Sequence, residues 1–132
     1  VRADRLYGGV PYAYAATGKP GTVVFTAGAC PLDENESIVG RGDLRVQARQ
    51  VLANLTEALA AAGATLADVV KTTVYVASAD RADLVAVWDV VSAEFGDHDA
   101  PSTLLGVATL GYDGQLVEVE AVAVISDSGE AD

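Results

Sequence analysis

Residues 43–77 read DLRVQARQVLANLTEALAAAGATLADVVKTTVYVA, and a change of period inside this run decides the fold class. Up to Gly63 the apolar residues Leu44, Ala48, Val51, Leu52, Leu55, Leu59 and Ala62 recur every three or four positions, the spacing of one helix face. Arg45, Arg49 and Glu57 fall off that stripe. Asp43 suits an N-cap and Gly63 a C-terminal stop, so the pattern predicts a helix over 43–62. Thr65-Leu66-Ala67-Asp68 has the spacing of a capping turn. Residues 70–77 are then rich in β-branched and aromatic side chains, which predicts a strand.

The same punctuation works outward from this core. Asp80-Arg81-Ala82-Asp83 opens a second helix with the stripe Leu84, Val87, Trp88, Val91 and Phe95, and Gly96 ends it. A loop from Asp97 to Ser102 leads to a strand near 103–109. Gly111-Tyr112-Asp113-Gly114 is a turn before a last strand over about 115–125. Toward the N-terminus, residues 22–28 form a strand bounded by Pro20-Gly21 and Pro31. Tyr12 to Ala16 is expected as a short strand hairpinned to it through Gly18-Lys19-Pro20-Gly21. Asp33 to Gly42 reads as a loop with a short edge strand.

The expected order is β-β-α-β-α-β-β, with a hairpin at each end. That is an α+β fold: one mixed sheet with both helices on one face. Val23, Val24 and Phe25, then Val74, Tyr75 and Val76, then Leu104 and Leu105 make strands apolar on both sides, and such strands want cover on both faces. With only two helices, a second copy of the chain is expected to cover the other face. Residues 1–125 are expected as one domain. The small, acidic stretch 126–132 is expected as a disordered tail.

The last strand poses a chemical question. In Val117-Glu118-Val119-Glu120-Ala121 both carboxylates share a face with Leu116, Val122 and Val124, because strand side chains alternate. A carboxylate among apolar side chains is costly unless paired or hydrated.

Bulk composition narrows the function classes. The 132 residues carry 8 Lys+Arg against 19 Asp+Glu, a net charge of −11. That argues against nucleic acid, whose phosphates need Lys and Arg, and against an anionic membrane surface. No apolar run is long enough to span a bilayer, and no export leader is recognised at the start. The single cysteine, Cys30, cannot form an internal disulfide, so a reducing, cytoplasmic setting is expected.

Five segments together carry a family resemblance: PYAYAA (11–16), VVFTAGACPLD (23–33), QARQVLANLTEALAAAGATLADVVKTTVYV (47–76), PSTLLGV (101–107) and VEVEAVAV (117–124). In order and spacing the chain resembles the Rid family (RidA or YjgF-like proteins, also called endoribonuclease L-PSP) over roughly residues 7–125. The resemblance implies a chorismate-mutase-like α+β domain that assembles as a homotrimer with clefts between subunits. It also implies hydrolysis of small enamines and imines, such as 2-aminoacrylate and 2-iminopropionate, to keto acids and ammonia without a cofactor.

The resemblance sorts the candidate residues. Glu118 matches the carboxylate that positions the attacking water; otherwise it lines a sheet edge or interface pore and pairs with Arg or water. Glu120 is expected at an interface or on water. Tyr12 matches an aromatic residue near the family cleft and Tyr14 shares its strand face, as ligand wall or as interface. Gly28 and Ala29 offer backbone groups. Cys30 follows the same strand and is expected to be buried and inert rather than nucleophilic. Trp88 stands where active relatives often carry Asn, and is expected to pack in the core or to narrow the cleft. His98, in Asp97-His98-Asp99, is expected in a solvated loop, and no metal site is expected.

One departure concerns the cation. Deaminating relatives carry an Arg in a Pro-Ala-Arg-Ser-like segment, and here Ala100-Pro101-Ser102-Thr103 puts Ser102 in its place. Arg clamps a carboxylate with two parallel hydrogen bonds; Ser supplies neither charge nor fork. Ser102 and Thr103 suit a neutral or hydroxyl-bearing ligand, or else ordinary loop-to-strand bonding. Arg41, Arg45 and Arg81 are the cations that a neighbouring subunit has to offer. The expectation is a deaminase for a small imine, enamine or related carbonyl compound. The alternative is a non-catalytic, metabolite-binding trimer. A ribonuclease fits poorly with the acidic chain and the lone His.

Overall fold

Asp43 caps the first helix as expected: one carboxylate oxygen accepts the N–H groups of Arg45 and Val46, both at 3.1 Å. The structure, a computed structural model, describes residues 1–18 and 21–127. It contains strand β1 (Gly21–Phe25), helix α1 (Leu44–Ala61), strand β2 (Val69–Val76), helix α2 (Arg81–Phe95), strand β3 (Ser102–Gly106) and strand β4 (Val117–Ser126). Gly63, at φ +84°, follows α1 in the left-handed region that glycine tolerates. The capping turn is present as a short 3-10 helix, Leu66–Asp68, with the Thr65 N–H donating to Asp68 Oδ2 at 2.8 Å. Replacing Asp43 by Ala strands two helix donors and is expected to cost about 1 kcal/mol, read as a lower urea midpoint at unchanged m.

The four strands form one sheet in the order β1-β4-β2-β3. β2 and β3 are parallel, while β4 runs antiparallel to both β1 and β2. Neither expected hairpin exists. A strand, a 15-residue helix and a strand form a βαβ crossover, so β3 docks parallel beside β2. The following turn then carries the chain back across β2, and β4 inserts between β1 and β2. At the other end, residues 12–16 are not a strand. Their alanines favour strands weakly, and their backbone bonds go elsewhere: Tyr14 N–H donates to Val1 O at 2.9 Å, and the Val1 amine to Ala15 O at 2.6 Å. Arg2 anchors this segment to the far end of α2 through Asp99 Oδ2, at 2.7 Å. Ser126 pairs with Gly21 and closes β4, so it is not part of the expected tail. Residues 128–132 of that tail, like Lys19 and Pro20 of the expected turn, lie outside the described residues.

Both helices cover one sheet face. Val51, Leu52, Leu55 and Leu59 of α1 and Val87 and Val91 of α2 pack on Val74 and Val76 of β2 and on Val117, Val119, Ala121 and Ala123 of β4. Each fully buried Val or Leu contributes about 1.5–3 kcal/mol. Ala62, placed on the apolar stripe by its spacing, is exposed. The stripe also hides a polar residue that its period does not reveal. Gln47 is fully buried; its Nε2 donates to Gly40 O and Gly114 O at 3.2 and 3.0 Å, and its Oε1 accepts from Leu116 N–H at 2.8 Å. It clamps the 111–116 turn onto α1.

The opposite face carries Val23 and Phe25 of β1, Glu118, Glu120, Val122 and Val124 of β4, Lys71, Thr73 and Tyr75 of β2, and Thr103 and Leu105 of β3. Phe25 is 77% exposed there. The puzzle of the two glutamates is thereby answered in part: both point away from the helices and stay half-buried on the uncovered face.

Candidate functional site

The sheet register assembles the site around Glu118. Phe25 pairs with Val122, yet Ala29 pairs with Val119. Between these pairs three residues, Thr26 to Gly28, thus face two on β4, Glu120 and Ala121, which is a bulge. Ala121 N–H fills the gap by donating to Thr26 Oγ1 at 2.9 Å. The bulge lays Gly28 directly over the Glu118 side chain, where a β-carbon at position 28 would overlap Oε2. Any β-carbon at position 28 forces the Glu118 side chain to shift; no positive φ is involved.

The other carboxylate oxygen is held. Gln115 Nε2 donates to Glu118 Oε1 at 3.0 Å, and Cys30 Sγ lies 3.4 Å from the same atom. Cys30 is tied in turn to α1, because Asn54 Nδ2 donates to its carbonyl at 2.7 Å. Burial, then the neighbouring Glu118 carboxylate, push the Cys30 thiol up to about 11. Tyr75, directly across from Glu118 on β2, is raised by burial, then by Glu120 and, less, by Glu118. Cys30 is therefore a protonated, half-buried thiol at ordinary pH, in keeping with an unreactive cysteine.

A second group gathers at the β3 edge. Tyr12, Trp88, Ser102 and Thr103 line one cavity of about 380 Å³ together with Pro11 and Leu104. Trp88 packs against the core and also walls this cavity. Ser102 Oγ accepts from Thr72 Oγ1 at 2.7 Å, and Thr103 Oγ1 accepts from Lys71 Nζ at 2.7 Å. Lys71 is thus a cation bonded to the residue that follows Ser102, on the sheet face opposite to Ser102, and sequence reasoning missed it. Arg2 lines an adjoining cavity of about 300 Å³ that shares Pro11 and Trp88. Tyr14 does not join the wall: its hydroxyl donates to Tyr7 O at 2.7 Å, and its ring meets Tyr12 edge-on at 5.7 Å.

Within one chain the two groups stay apart. Strand β2 separates β4 from β3, roughly 10 Å across the sheet, and Ser102 lies three residues along β3 from the partner of Tyr75, roughly another 10 Å. Gly28, Ala29, Cys30 and Glu118 form one half; Tyr12, Trp88, Ser102 and Thr103 form the other. Arg41, Arg45 and Arg81 are all exposed, and Arg41 pairs with Asp113 at 3.3 Å. His98 departs from a solvated loop: it is half-buried, stacks on Phe95, and its Nε2–H donates to Val69 O at 2.7 Å. Among the described residues no cluster of His, Cys, Asp or Glu can hold a metal ion, and no helix is long and apolar enough to cross a membrane.

Comparison with known proteins adds to this geometry. The family model described as Endoribonuclease L-PSP matches residues 4–125. A RutC family protein of Pyrococcus horikoshii is 37% identical over 113 residues, covering 86% of each chain. A 2-iminobutanoate/2-iminopropanoate deaminase of Salmonella typhimurium is 37% identical over 107 residues, covering 79% of this chain and 80% of its own. A solved structure from Yersinia pestis, described as a protein of unknown function of the conserved Rid family, superposes with a TM-score of 0.88 at 35% identity, covering 95% and 96% of the two chains. On these grounds the chain belongs to the Rid family of YjgF-like, L-PSP-type proteins.

Proposed function

We propose that this chain is a cofactor-independent deaminase that hydrolyses a small imine or enamine, or a related carbonyl metabolite. The observation that carries this reading is the Glu118 carboxylate, with one oxygen held by Gln115 and Cys30 and the other lying over Gly28. Water adds to the imine carbon as Glu118 accepts its proton. The resulting carbinolamine collapses to a carbonyl, and the proton leaves with the nitrogen as ammonia. A carboxylate at a partly dry, shaped site suits that shuttle.

The reaction is placed in clefts between subunits of a homotrimer. Two features support this: the two half-sites are separated within one chain, and the sheet face bearing Glu118 is uncovered and exposes Val23, Phe25 and Leu105. Tyr12, Trp88, Ser102 and Thr103 of one copy then meet Glu118 of the next. A single free thiol suits a reducing, cytoplasmic setting, and the charge of −11 favours a small-molecule partner over nucleic acid. With Ser102 already bonded to Thr72, no fork awaits a carboxylate there, so 2-aminoacrylate is expected to be a poor substrate.

That same Ser102–Thr72 bond favours a second reading, a non-catalytic metabolite-binding trimer. One experiment separates the two. Imines and enamines generated in situ by an amino-acid oxidase or a dehydratase are offered to wild type and Glu118→Gln, with native mass spectrometry of both. Faster hydrolysis by a trimeric wild type supports the deaminase. Rates equal to buffer across the panel overturn it, and saturable binding without turnover then supports the second reading.

A further inference from the structure

The 111–116 turn aims a buried amide at Glu118. Gln115 is 4% exposed, and its orientation is fixed by its neighbours. Its Oε1 accepts from the Tyr112 N–H at 3.1 Å, a group that can only donate. Its Nε2 must then face two acceptors, Val117 O at 3.1 Å and Glu118 Oε1 at 3.0 Å. Cys30 approaches the same oxygen from the opposite strand. Its one proton has two acceptors in reach, Glu118 Oε1 at 3.4 Å and Gly28 O at 3.5 Å. The charged acceptor makes the stronger bond.

We propose that Gln115 and Cys30 are positioning residues that divide the labour of the Glu118 carboxylate: they tie down Oε1 and leave Oε2, over Gly28, as the oxygen that meets water. Two donors on one oxygen also fix the side-chain rotamer, so the free oxygen faces the cleft without first paying to order itself. This inference rests on the deaminase reading for its purpose, while the contacts themselves are testable without it. The groups that bear on the thiol are Glu118 of β4, which raises it, and the neutral Gln115 amide, which lowers it; Asn54 of α1 holds only the Cys30 carbonyl, and Tyr75 of β2 and Glu120 of β4 adjoin Glu118.

The first test is the pH dependence of Cys30 modification by iodoacetamide, followed by mass spectrometry from pH 7 to 10.5. In wild type the rate climbs without bending, because the thiol stays protonated to about 11. Burial is the larger cause and persists, but Glu118→Gln removes the carboxylate, so the midpoint moves down by about one pH unit and the curve bends. A change in access alone scales the curve and leaves the midpoint in place. Identical midpoints in the two proteins overturn the Cys30 contact. The second test uses any imine that wild type hydrolyses. Cys30→Ala and Gln115→Leu each lower kcat about three- to tenfold at unchanged KM, and Cys30→Ser restores the loss at position 30. Equal kcat in wild type, Cys30→Ala and Gln115→Leu overturns the positioning role. If no imine is turned over, the deaminase reading fails on that result, and the thiol midpoints alone decide whether the contact exists.

Discussion

Glu118→Gln is expected to lower kcat for the proposed imine hydrolysis about 10²- to 10⁴-fold, with KM changed far less. The magnitude is that of losing a positioned general base. The amide keeps the size of the carboxylate, and its oxygen can still accept from Gln115, so the fold survives; what is lost is the ability to take the proton of water. Gly28→Ala is the companion variant. It leaves the carboxylate chemically intact but drives a β-carbon into the space of Oε2, and a displacement of about 1 Å costs on the order of 10²-fold. Steady-state kinetics on one accepted imine, with circular dichroism to confirm folding, reads both. A Glu118→Gln protein as active as wild type removes Glu118 from the mechanism.

Gln47→Leu is expected to be the most damaging single change to stability outside the apolar core. The substitution keeps the volume but strands the Leu116 N–H and takes a donor from Gly40 O and Gly114 O, in a region where Gln47 is fully buried. Each unsatisfied buried group costs about 1–3 kcal/mol, so a loss of about 3 kcal/mol or more is expected, a large share of the roughly 5–15 kcal/mol that holds a typical domain. The urea midpoint measures it. The same turn presents Gln115, so the variant is also expected to lose activity below its unfolding midpoint. A midpoint within error of wild type means that water replaces the clamp.

Local chemistry was readable wherever a residue's neighbours in sequence are also its neighbours in space. The Asp43 and Asp80 caps, the Thr65–Asp68 turn and the alternation of β4 all follow from adjacent residues. Gln47 was not readable, because a glutamine one step from Ala48 looks like an ordinary surface residue until the 111–116 turn closes over it. Tyr12 to Ala16 misled for the opposite reason. Its alternation suits a strand, but Val1 takes the backbone hydrogen bonds of Tyr14 and Ala15.

The glutamates draw the boundary most clearly. Period-two alternation by itself put Glu118 and Glu120 on one face and Val117, Val119 and Ala121 on the other, since strand geometry needs no partner. It could not say which face the helices cover. That depends on β4 inserting between β1 and β2 and on the βαβ handedness that puts α2 beside α1. Nor could it bring Cys30, 88 residues away, to 3.4 Å from Glu118 Oε1. The family, both helices and the longer strands were written in the chain, and so was Glu118 as a candidate. Which of its two oxygens is left free was decided only by tertiary structure, because a hydrogen bond depends on distances of a few tenths of an ångström that no spacing in sequence encodes.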